Sequence, residues 1–105
     1  MRHGAPAVLT ALALSACTTA GRDDLARDAA ESVVGRTVAM RFPEMPVEPA
    51  TDCLIANATR GEMLGLASDT MTGPTAATIE TILLIARRPA TRQCLADRGA
   101  AAFPI

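Results

Sequence analysis

The sequence predicts a small all-α protein, a bundle of about five short helices closed by one disulfide bond. Three observations carry this expectation. Apolar residues recur at helical spacing, and no segment sustains the alternation of a half-buried strand. Helix-start chemistry recurs along the chain, most clearly at Thr59-x-x-Glu62 and at Thr75. The chain has 105 residues, enough for one domain with a modest core.

The first helix of the domain is expected from Asp23 to about Arg41. Leu25, Ala26, Ala29, Ala30, Val33, Met40 and part of Val34 share a broad arc. Asp23, Asp24, Asp28 and Glu31 lie in its first half, where the positive end of the helix dipole favours acids. Pro43 disfavours helix at Phe42 and ends it there. Pro43, Pro46 and Pro49 then recur every third residue, which reads as a stiff, extended connector over residues 43–50. Thr51 or Asp52 can cap a second helix to about Ala58, carrying Cys53. Asn57 near its end is suited to satisfying backbone groups there, or to a polar contact with a partner.

Thr59 and Glu62 form a capping box that starts a third helix with Met63, Leu64, Leu66 and Ala67. A loop with Gly73-Pro74 follows. Thr75 can cap a fourth helix, Ala76 to about Arg88, whose Ile79, Ile82, Leu83, Ile85 and Ala86 fill one wide face. Leu84 lies off that face. Pro89 suits the first turn of a last helix, which carries Cys94 and Leu95 and stops at Gly99. The expected core is Leu54, Leu64, Ile79, Ile82, Leu83 and Leu95.

The N-terminal segment has a different character. Met1-Arg2-His3 is basic, Ala5 to Leu14 is apolar apart from Thr10, and the run closes on Leu14-Ser15-Ala16-Cys17. An apolar stretch of roughly 10 residues is half of what spans a bilayer, so it reads as a cleaved signal. The run ending in Cys17 resembles the lipobox of bacterial lipoproteins. That resemblance implies a signal peptide over residues 1–16, lipid on Cys17, a tether over 17–22 and a helical domain over 23–105. It also implies a lipid-anchored location in the cell envelope, facing the periplasm. The sorting rule of enteric lipoproteins reads Thr18, which is not Asp, in favour of the outer membrane over the inner.

Export bears on the other two cysteines. Outside the cytoplasm disulfides persist, and Cys53 and Cys94 allow one pairing. Their spacing is far from the Cys-x-x-Cys of a redox pair. Further along, Arg41-Phe42-Pro43, Asp52-Cys53-Leu54-Ile55-x-Asn57-Ala58, Leu66-Ala67-x-Asp69 and Arg88-Pro89-Ala90-Thr91-x-x-Cys94 resemble small uncharacterised alphaproteobacterial lipoproteins. Some of those carry a succinate dehydrogenase label. Beyond residue 16 the sequence lacks a histidine for flavin or haem and a cysteine set for an iron–sulfur cluster.

Composition narrows the chemistry further. After removal of residues 1–16 the chain holds nine arginines against eleven acids, and no His, Lys, Tyr or Trp. A net charge of −2 gives no general attraction to nucleic acid. Without His, Lys or Tyr, the usual general acids, bases and nucleophiles are missing, and no enzyme activity, metal or cofactor is expected. Arg87, Arg88 and Arg92 cluster with only Asp97 nearby in sequence. They can serve the helix dipole or contact an anion such as lipid phosphate. Contact with a protein partner is expected at Leu84, Phe103 or Ile105, with Met45 and Val47 as further candidates. Two functions follow: a structural or protein-interaction lipoprotein of the envelope, or a small-ligand or lipid-binding helical module. A filled core with an exposed apolar patch favours the first, and a sizeable apolar cavity the second.

Overall fold

In a computed structural model the backbone is described for residues 4–104 and the side chains for 21–104. Five helices follow in order: α1 (Gly4–Arg41), α2 (Val47–Ala56), α3 (Arg60–Ser68), α4 (Ala76–Ala86) and α5 (Pro89–Asp97). There is no strand among the described residues. The all-α class expected from the sequence is what forms.

α1 contains the whole of the expected 23–41 helix. Its buried residues are Ala30, Val33, Val34, Thr37 and Val38, the i, i+3, i+4, i+7, i+8 stripe of an amphipathic helix. Leu25 and Met40, expected on the buried arc, are instead 71% and 64% exposed. At 3.6 residues per turn the Val34 stripe turns both of them toward solvent. Thr37 is tolerated inside because its hydroxyl donates to the Val33 carbonyl at 2.7 Å. This stripe packs against α2 and α3.

The proline-rich connector is shorter than the sequence suggests. Phe42 to Met45 forms a tight turn in which the Met45 N–H donates to the Phe42 carbonyl at 2.9 Å, with Pro43 at its second position. α2 then begins at Val47, four residues before Thr51, the earlier of the two expected caps. The prolines start this helix. Pro46 is the extended N-cap residue, and Pro49 falls at the third helical position, where an N–H has no partner within the helix. Glu48 adds a favourable acid to the first turn. Thr51 is thereby drawn into the helix and buried, and its Oγ1 has no hydrogen-bond partner among the described residues.

α3 and α4 start where their caps predict. Thr59 accepts from the Glu62 N–H at 3.1 Å while the Glu62 carboxylate accepts from the Thr59 N–H at 2.8 Å. At α4, Thr75 and Thr78 exchange the equivalent pair of bonds, and the Thr78 hydroxyl also donates to Asp69 at 2.6 Å. That bond fixes the loop between the two helices. α5 ends at Gly99 with φ +72°. The Ala100 N–H reaches the Leu95 carbonyl and the Gly99 N–H reaches that of Ala96, which is the double bond of a Schellman cap.

α2 is the hub of the packing. It lies against α1 on one side and against α4 and α5 on the other. Its Ala50, Cys53, Leu54 and Ile55 join Leu66, Ile82, Ile85 and Leu95 in one core. Leu54, Ile82 and Leu95 are buried as expected; Ile79 and Leu83 are half-buried. Leu64 is 50% exposed, since Leu66 takes the inward position of α3. The Cys53–Cys94 disulfide joins α2 to α5 with Cα atoms 5.7 Å apart. It closes a covalent loop that contains α3 and α4 and leaves α1 outside.

Gly35 faces α2 in the C-terminal half of α1. A methyl group there would lie 3.6 Å from Thr51 Oγ1 and 3.9 Å from Val47 Cγ1, ordinary contact distances. Glycine inside a helix costs roughly 0.5–1 kcal/mol relative to alanine. Gly35→Ala is therefore expected to stabilise the domain by about that amount, read as a shifted midpoint in urea with an unchanged slope.

Candidate functional site

The residues singled out by sequence fall into separate places. Cys17 lies outside the residues whose side chains are described, as does the expected 1–16 signal. Ile105 is also outside. Leu84 stands 53% exposed on α4, since Ile82, Ile85 and Ala86 occupy the inward positions.

Phe103, expected as a surface contact, is buried at 5% exposure. Its ring meets that of Phe42 edge-on, centroids 5.1 Å apart at 76°. The chain has only these two aromatic residues, and their contact pins the C-terminal tail onto the end of α1. Met45 is buried in the same core, at 6% exposure, while Val47 is 41% exposed.

The arginine cluster divides. Arg88 turns away from its neighbours and grips the Glu62 carboxylate with both terminal nitrogens, at 2.7 and 2.6 Å. One of those nitrogens also donates to the Asn57 carbonyl at 2.7 Å. Asn57 is the C-cap residue of α2, and its amide donates to the Cys53 carbonyl at 2.8 Å. A single guanidinium thus ties together the end of α2, the start of α3 and the corner between α4 and α5. The side chains of the pair are 31% and 16% exposed. Arg88, followed by the Thr59 N–H, holds the Glu62 carboxyl at a pKa of about 2, against the opposing effect of burial. Arg88 is therefore a structural residue and leaves the expected anion cluster.

Arg87 and Arg92 remain together. They border a hollow of about 300 Å³ with Ala86, Ala102 and Phe103. Among the described residues neither guanidinium takes part in an ion pair; Arg27, Arg60, Arg88 and Arg98 each have an acidic partner. Sequence reasoning missed Phe103 as part of this hollow and Glu62 as the partner of Arg88.

Further hollows lie on the surface among the described residues. One, of about 260 Å³, runs between α1 and α3 beside Asp23, Ala26, Arg60, Met63 and Leu64. Another borders Pro89, Arg92 and Gln93, and another lies at the Phe42–Met45 turn. None of the four brings two carboxylates together. Among the described residues no group of three or more His, Cys, Asp or Glu side chains could hold a metal ion, and no helix is long and apolar enough to cross a membrane. Comparison with protein-family models, curated proteins and solved structures gives no match for the chain.

Proposed function

We propose that the protein is a lipid-anchored lipoprotein of the bacterial envelope, with a structural or protein-interaction role on the periplasmic side. The observation that carries this reading is the Leu14-Ser15-Ala16-Cys17 run behind a short apolar stretch. The disulfide between Cys53 and Cys94 fits an oxidising compartment. The core between the helices is occupied by Leu54, Ile82, Ile85 and Leu95, all but fully buried. The hollows are open ones at the surface. That combination favours contact with a partner over carriage of a ligand inside the bundle. Leu84, large, apolar and 53% exposed, is a contact candidate on the surface, as is Val47 at 41%.

One acyl chain holds a protein at a membrane only marginally, whereas several hold it stably. Cys17→Ser is therefore expected to move the protein from the membrane fraction to a soluble or uncleaved form. Intact-mass measurement of membrane-extracted protein should show a lipid adduct on a chain starting at Cys17. An unmodified chain starting at Met1 rejects the anchor. The partner surface is tested separately, by cross-linking in membranes with Leu84→Glu. Recovery of the same partner at the same yield rejects Leu84 as a contact.

A further inference from the structure

The hollow between the end of α4, the start of α5 and the C-terminal tail combines a charged rim with an apolar floor. We propose that it is a binding site for a phosphate group carried on a compact apolar body, with Arg87 and Arg92 as the phosphate ligands. The inference rests on the described side chains and is independent of the lipid anchor.

The backbone explains why two arginines meet there. Arg87 is the C-cap residue of α4, and Pro89 opens α5 two residues later. Arg92 lies on the first turn of α5. Arg88, between them in sequence, is drawn to the opposite side by Glu62, so it neither blocks the hollow nor competes for its occupant. The floor comes from Ala86 and Phe103, 3% and 5% exposed, with Ala102 at the rim. Phe103 is held in place by Phe42, so this wall is set before anything binds.

The electrostatics favour an anion. The described lining contains no acid. Arg88 gives α5 no side-chain cap, so the first N–H groups of that helix add positive potential at the same corner. Two guanidinium groups offer several N–H donors in planar arrays, suited to the several oxygens of a phosphate. About 300 Å³ is at the small end of ligand cavities. It suits a phosphate with a short aliphatic or aromatic body. Such a group is found on soluble phosphoesters and at the head of anionic lipids.

The test uses the full chain carrying Cys17→Ser, so that no acyl anchor contributes. Phenyl phosphate is titrated while the arginine Nε–H and backbone N–H signals are followed by NMR. Saturable shifts are expected at Arg87, Arg92 and Ala102. Arg87→Gln and Arg92→Gln should each weaken binding about tenfold, the worth of one charge-assisted hydrogen bond. Arg36→Gln should leave it unchanged. Co-flotation with phosphatidylcholine vesicles, with and without phosphatidic acid, separates the two sources. Binding that needs phosphatidic acid and is lost in both Gln variants assigns a lipid headgroup, and phenyl phosphate binding without co-flotation assigns a soluble phosphoester. No saturable shift, or equal shifts at Arg22, Arg36 and Arg41, overturns the proposal.

Discussion

Replacing Cys53 and Cys94 together with alanine is expected to cost about 4 kcal/mol of stability and to lower the thermal midpoint by roughly 15–30 °C. The bond closes a loop with a sequence separation of 41, and loop-closure entropy in the unfolded chain gives that magnitude. The effect is large because a domain of this size has roughly 5–10 kcal/mol in total. Far-UV circular dichroism of the double variant against the oxidised protein checks it. A loss of only a few degrees would mean that α2 and α5 stay together in the unfolded chain without the bond.

Loss of the Glu62 carboxylate is expected to have the next largest effect. Glu62→Ala removes both bonds from Arg88 and half of the α3 capping box. Hydrogen bonds to charged groups are worth about 1.5–3 kcal/mol, and a total of about 3 kcal/mol is expected. The same carboxylate makes stability depend on pH. Its pKa is lowered in the folded protein from 4.5 to about 2, so protons bind it more tightly in the unfolded chain. Its contribution is complete above about pH 4.5 and is lost as pH falls toward 2. Urea midpoints measured across that window should fall steeply for the native protein. In Glu62→Gln the part of the slope due to this group should vanish. An unchanged slope would mean that Arg88 does not hold the carboxylate in solution.

The local features of this fold were legible in the sequence, and the long-range ones were not. Thr59-x-x-Glu62, Thr75, Pro89 and Gly99 each mark a helix end through chemistry within a few residues. The cysteine pair was legible by elimination. Pro43, Pro46 and Pro49 misled because the same φ suits an extended connector and the first turn of a helix. What decides is the burial of Ala50 and Thr51 against α1, which spacing does not report. Leu64 and Leu66 are equally apolar, and only the tertiary packing selects Leu66 for the core. The fate of the arginines depends on pairings such as Arg88 with Glu62, 26 residues apart. No local pattern distinguishes Arg88 from Arg87, so the cluster read from sequence was split by the fold. Phe103 looked like a free tail residue because its partner, Phe42, is remote in sequence, before α2.

The covalent loop has a mechanical consequence. When the chain is pulled from its two ends, tension runs along α1 and α2 to Cys53, crosses the sulfur bridge to Cys94 and leaves through the end of α5. α3 and α4 carry none of it. Roughly 140 Å of extensible chain is hidden behind the bridge and is released only on reduction. α1 and the tail beyond Cys94 lie outside the loop and bear the load directly. A tether at the N-terminal end would therefore load α1 directly, while α3 and α4 stay off the covalent path.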